Sequence, residues 1–105
     1  MAEIPDPIKN TIERYLNALR KNRIPISQAI LFGSYAKGRY NEWSDIDIAL
    51  VSSIFDGNRF TDKRKIREIS LAVSSDLEIL PYSLQDFTSD DPFVREILET
   101  GVSLV

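Results

Sequence analysis

Ala29-Ile30-Leu31-Phe32-Gly33-Ser34-Tyr35-Ala36-Lys37-Gly38 and, after a short loop, Ser44-Asp45-Ile46-Asp47-Ile48-Ala49-Leu50-Val51 form the stretch that decides the fold. Ala29 to Phe32 is a short apolar run closed by Gly33, which predicts a strand buried on both faces. Ser34 is a good N-cap, so a short helix is predicted to start there, with Gly38 able to end it. Asn41 to Ser44 reads as a loop. Asp45 to Val51 predicts a second strand. On it Ile46, Ile48 and Leu50 share one face, and Asp45, Asp47 and Ala49 share the other.

Working outward, Ile8, Ile12, Tyr15, Leu16 and Leu19 recur at helical spacing and predict an amphipathic helix over 6–22, entered through Pro5 and Pro7. Asp56-Gly57-Asn58 is turn chemistry. Thr61 or Asp62 is expected to cap a helix over 61–74, with Ile66, Ile69 and Val73 on its buried side. Leu77 to Leu80 predicts a third strand, stopped by Pro81. A helix over 92–99 carries Phe93, Val94, Ile97 and Leu98. Gly101 ends it, and Val102 to Val105 adds a short edge strand. This order predicts an α/β (α+β) fold with helices packed on one small sheet, and it leaves the strand pairing open. With no repeat and no linker, the 105 residues are expected to form a single domain over 1–105.

Composition narrows the chemistry. Hydrophobic residues make up 43% and charged residues 28%, which excludes a disordered chain. There is no Cys and no His, so thiolate and imidazole chemistry are both excluded. Carboxylates, hydroxyls, lysines and backbone groups must carry any reaction. The net charge is −3, and it is unevenly spread. Residues 1–40 hold seven basic and three acidic residues, and 41–105 hold six basic and thirteen acidic. An acidic chain is a poor general binder of nucleic acid. No segment approaches the roughly 18 apolar residues of a membrane span. The start, Met1 to Asp6, lacks the pattern of a signal peptide, so a cytoplasmic protein is expected.

Gly33, Ser34, Asp45 and Asp47 form an ordered constellation. A helix start offers unpaired N–H groups to an anion such as phosphate. Gly33 lets a phosphate approach the backbone, and the Ser34 hydroxyl can donate to a phosphate oxygen. Asp45 and Asp47 point to one side of a strand, where two carboxylates repel unless a cation lies between them. Hard oxygen ligands beside phosphates suit Mg²⁺. Asp76 and Glu78 share the parity of the third strand, and Glu78, inside the run, is the candidate third carboxylate. Taken singly, a Gly-Ser turn is ordinary capping chemistry and an Asp-x-Asp an ordinary polar face. Their order on strand, turn, helix and strand is far more specific. Asp is also a poor strand former, so two of them in an Ile/Leu/Val strand point beyond folding.

Leu31 to Gly38 with Ser44 to Leu50 resembles the signature of the DNA polymerase beta-like nucleotidyltransferase superfamily, and in fuller form its minimal prokaryotic nucleotidyltransferases. The flanking Leu77-Glu78-Ile79-Leu80-Pro81 and Ile97-Leu98-Glu99-Thr100-Gly101-Val102 segments fit the same pattern less specifically. The resemblance implies a mixed sheet flanked by helices, two Mg²⁺ ions and ATP. Gly33 and Ser34 would hold the triphosphate, and Asp45, Asp47 and Glu78 would be the catalytic and metal-binding carboxylates. The family's third carboxylate is usually Asp, and Glu78 is one methylene longer. The resemblance further implies an antitoxin that transfers AMP from ATP to a tyrosine of a HEPN-domain toxin. Larger relatives bind acceptors with an added domain, so here a partner protein or a homo-oligomer would supply the acceptor. Two other functions fit the same residues. One is a nucleotide-binding antitoxin that acts by occlusion. The other is a transferase for a small molecule of the aminoglycoside type. Lys37 and Arg39 lie near enough in sequence to touch phosphates, although a solvated position is the simpler expectation. Tyr35, Tyr40 and Trp43 can stack on a base or line a partner interface, and Trp43 can equally be buried.

Overall fold

The structure is a computed structural model that describes residues 3–105, so Met1 and Ala2 of the N-terminal reading lie outside it. Eight elements follow one another. They are α1 (Asp6–Lys21), β1 (Gln28–Phe32), α2 (Ser34–Lys37), β2 (Ile46–Val51), α3 (Arg59–Val73), β3 (Leu77–Tyr82), α4 (Pro92–Thr100) and β4 (Val102–Ser103). The strands form one mixed sheet in the order β3-β2-β1-β4. β1 runs antiparallel to β2 and β4, whereas β2 and β3 are parallel. Parallel neighbours need a crossover, and α3 supplies it. The expected α/β arrangement, a small mixed sheet flanked by helices, is the one observed.

Strand parity sorts the core into two layers. Ala29 and Leu31 of β1, Ile46, Ile48 and Leu50 of β2, and Leu77 and Ile79 of β3 face α1 and α3. There they meet the α1 stripe Ile12, Tyr15, Leu16 and Leu19, and Ile66 of α3. The opposite face carries Ile30, Ala49, Val51 and Tyr82, covered by Val94 and Ile97 of α4 and by Phe87. α4 thus covers only one part of that face. The part bearing Asp47 and Glu78 stays partly or fully open, with Asp47 half-buried and Glu78 exposed.

Four local expectations are corrected, and the buried face of α4 is narrower than its four apolar residues. The N-cap of α2 is Gly33 rather than Ser34, which becomes the first helical residue. α3 begins earlier than predicted and is capped by Asn58, whose side chain accepts from the Thr61 N–H. Pro81 does not stop β3, which continues to Tyr82. β3 is an edge strand, and its bonds to β2 run through Asp76 and Tyr82, so the nitrogen of Pro81 faces the open side, where no N–H is needed. Asp45 lies just before β2 rather than in it. Phe93 and Leu98 are exposed, leaving Val94 and Ile97 as the buried face of α4.

Candidate active site

The sheet register assembles the site. Phe32 at the end of β1 pairs with Asp47, and Asp47 pairs with Glu78 on β3. Gly33 leaves β1 at that point with φ of +75°, in the region that side-chain-bearing residues avoid. A Cβ on Gly33 would strike the Asp47 carboxylate. Glycine is therefore required both by the backbone turn and by the packing of Asp47 against it. Ser34 follows at once, opening a single-turn helix whose Tyr35 and Ala36 are buried in the core. Gly33, Ser34, Asp47 and Glu78 are brought to one end of the sheet, and Asp45 lies close enough to act electrostatically on Asp47.

The charge balance here is unusual. Burial raises the pKa of Asp47 from its ordinary value, and the neighbouring charges of Asp45 and then Glu78 raise it further. Among the described residues, the cation in contact with these carboxylates is Lys63, whose Nζ lies 3.1 Å from Glu78 Oε1 in an exposed pair. Such a pair contributes little to stability. Among the described residues, no three carboxylates stand close enough together to form a ready-made cage for a metal ion. The donor chemistry nevertheless fits a hard divalent cation. Asp45 and Asp47 carry oxygen donors whose charges repel one another, and Glu78 acts on the same field while tied to Lys63.

The aromatic residues divide. Tyr35 is buried and stacked on Tyr40, with ring centroids 4.7 Å apart, so its ring is committed to the fold. Trp43, two residues from Asp45, is 83% exposed and is free to meet a ligand or partner. Lys37 pairs with Glu96 at 3.4 Å on the surface. Lys63 was not legible as a neighbour of the site. It precedes Glu78 by fifteen residues on another element, and only the packing of α3 against β3 brings the two together.

Known proteins place this geometry in a family. The model for the nucleotidyltransferase domain matches residues 12–101. A Methanocaldococcus jannaschii protein, provisionally named a protein adenylyltransferase, is 49% identical over 47 residues, covering 44% of this chain and 47% of its own length. The chain therefore spans about half of that relative. A crystal structure of a toxin–antitoxin pair with AMP-PNP superposes with a TM-score of 0.59 and 28% identity, over 91% of this chain and 71% of that one. A Sulfolobus solfataricus structure described as a nucleotidyltransferase shares the fold, with a TM-score of 0.61 and 19% identity over 98% of this chain and 89% of its own.

Proposed function

The chain belongs to the nucleotidyltransferase domain family, and from that premise we propose that it is a Mg²⁺-dependent adenylyltransferase acting on a tyrosine hydroxyl of a HEPN-domain toxin, as its antitoxin. The observation that carries this reading is that Asp47 pairs in register with Glu78, feels the charge of both Asp45 and Glu78, and packs against the Gly33-Ser34 turn. The likeness to a toxin–antitoxin structure with AMP-PNP supports both the nucleotide and the partner class. Residues 1–105 would act as a single domain, with the acceptor supplied from outside the chain.

In the proposed reaction, the acceptor hydroxyl oxygen forms a bond to the α-phosphorus of ATP. The bond from that phosphorus to the bridging oxygen breaks, and pyrophosphate leaves with the electron pair. Ser34 donates its hydroxyl to a phosphate oxygen, and the free N–H groups of the first turn of α2 add to the cradle. Gly33 keeps that approach clear while holding Asp47 in place. Asp45 and Asp47 would hold Mg²⁺, and Glu78 would be a third ligand or take the hydroxyl proton. When bound, the metal supplies positive charge to the triphosphate and lowers the pKa of the attacking hydroxyl.

The test is to co-express the chain with its HEPN-domain partner, add ATP and Mg²⁺, and examine the partner by mass spectrometry. An AMP adduct on a tyrosine, absent with Asp45→Asn or Asp47→Asn, is the expected result. A stable complex that silences the toxin without an adduct would instead establish antitoxin action by occlusion, a reading favoured by the engagement of Glu78 with Lys63. Transfer to an aminoglycoside with no partner present would identify a small-molecule transferase.

A further inference from the structure

A groove of about 600 Å³ runs between α3 and the outer edge of β3, with Glu78 in its wall. We propose that this groove docks an extended, acidic segment of the acceptor protein and so delivers the acceptor to the carboxylates; the proposal rests on the transferase reading above.

Three observations carry it. First, among the described residues no strand pairs with the outer side of β3. Asp76 and Tyr82 bond inward to β2, so by alternation the backbone groups of Ile79 face the groove. An unpaired edge is a template for an added strand. Second, α3 presents Phe60, Arg64, Arg67 and Leu71 along the groove, with Phe60 73% and Leu71 56% exposed. Third, the charge is local and uncommitted. Five of the six basic residues of 41–105 lie in α3. Lys63 and Lys65 have carboxylate partners, and Arg59 lies over the Tyr82 ring. Among the described residues, Arg64 and Arg67 form no ion pair.

These features define the occupant. Two free guanidinium groups on a chain of net charge −3 complement carboxylates. Phe60 and Leu71 are eleven residues apart on the helix, about 16 Å along its axis. An extended chain covers that in about five residues. The fitting segment therefore has an apolar residue at each end and acidic residues between them. A second copy of this chain is a poor occupant of the edge, because a two-fold contact through β3 sets like charges of the two α3 helices against each other. Glu78 joins the groove to the site, since it pairs in register with Asp47. A segment seated along β3 thus brings its flanking hydroxyl towards the proposed reaction centre.

The probe is an eight-residue peptide with leucines at either end of five acidic residues and a tyrosine beyond. It is titrated into the ¹⁵N-labelled full chain, with a lysine-for-acid peptide and a single-stranded oligoribonucleotide as comparisons. Amide shifts confined to α3 and the β3 edge, including Ile79, are expected for the acidic peptide alone. Binding should weaken at least tenfold in R64E/R67E and in Phe60→Ser, while ATP binding to both variants is unchanged. Asp47→Asn should still bind the peptide, and a wild-type chain that binds it yet transfers no AMP to any acceptor would sink only the transferase reading. Absence of peptide binding at millimolar concentration, shifts elsewhere, or equal binding by R64E/R67E would overturn the docking proposal. So would preferential binding of the oligoribonucleotide at these residues, or self-association of the chain that R64E/R67E abolishes.

Discussion

Asp47 and Asp62 are both carboxylates removed from water, and their surroundings push them in opposite directions. Asp62, on α3, is fully buried. Burial alone would raise its pKa, but it accepts from the N–H groups of Asp56 and Gly57, each at 3.0 Å, and from Lys65 at 3.2 Å. Those bonds prevail, and its pKa is lowered. Asp47 has burial without the compensation, and its charged neighbours are carboxylates. A carboxylate whose field is completed by the protein is a structural part. One whose field is left incomplete is prepared for something that arrives from outside, and in this family context a cation fits that description.

The largest effect is therefore expected from Asp47→Asn. Transfer of AMP should fall by well over about 100-fold, the loss typical of merely disturbing the shell around a metal ligand. Stability in metal-free buffer should hold or rise, because repulsion is removed along with the charge. Mg²⁺ should raise the Tm of the wild type, by the linkage of ligand to the folded state, and leave that of the variant unmoved. Differential scanning calorimetry with and without Mg²⁺ reads this directly. A marked fall in metal-free Tm would make Asp47 a structural residue like Asp62, and the contrast would collapse.

Asp62→Ala should do the opposite. It strands two backbone donors and removes one of the two carboxylate partners of Lys65, costing about 3 kcal/mol in urea unfolding, while leaving ATP binding intact in the folded fraction. The pH dependence sharpens the comparison. Because the folded-state pKa of Asp62 is lowered, its stabilisation is present above the unfolded value of about 3.9 and is lost as pH falls through the folded value. Because that of Asp47 is raised, its relative contribution is present below the unfolded value and is lost as pH rises through the folded one. Unfolding free energies measured from pH 3 to 7 should thus lose acid sensitivity in Asp62→Asn. They should lose the decline above pH 4 in Asp47→Asn.

Gly33→Ala ranks next. Adopting φ of +75° and ψ of −150° with a Cβ costs about 1–3 kcal/mol, and the added carbon must displace the Asp47 carboxylate. Chemical denaturation should show that modest loss, with a larger proportional loss of transfer activity. An Ala variant as active as the wild type would mean that the placement of Asp47 against the turn has no catalytic consequence.

Much of this contrast was legible in the residues, and the part that was not is long-range. The β2 alternation placed Ile46, Ile48 and Leu50 on one face and Asp47 with Ala49 on the other, because a period of two needs only local sequence. The Gly33-Ser34 turn was legible for the same reason. The pairing of Asp47 with Glu78 depends on β2 and β3 lying side by side, which element order alone does not decide. Local sequence offers Thr61 or Asp62 as the cap of α3, because both residue types suit a helix start. The real partners of Asp62, Asp56 and Gly57, are set by how the preceding loop folds back. Pro81 looked like a terminator because its sequence neighbours say nothing about which side of the sheet is open.

The smallest effect tests that misreading. Asn58 Oδ1 accepts from the Thr61 N–H at 3.2 Å, and both residues are exposed. Water can replace such a bond, so Asn58→Ala should cost about 1 kcal/mol, the ordinary value for losing a helix cap. Thr61→Val keeps the capped N–H and should cost less. If Asp62 were the cap, its removal would cost no more than that of Asn58. The buried position and two loop donors require a cost several times larger. Urea unfolding of the two single variants and their double would settle the ranking. Near-additive losses would show that the cap and the buried anchor hold the start of α3 by separate means, whereas strong coupling would make them one device.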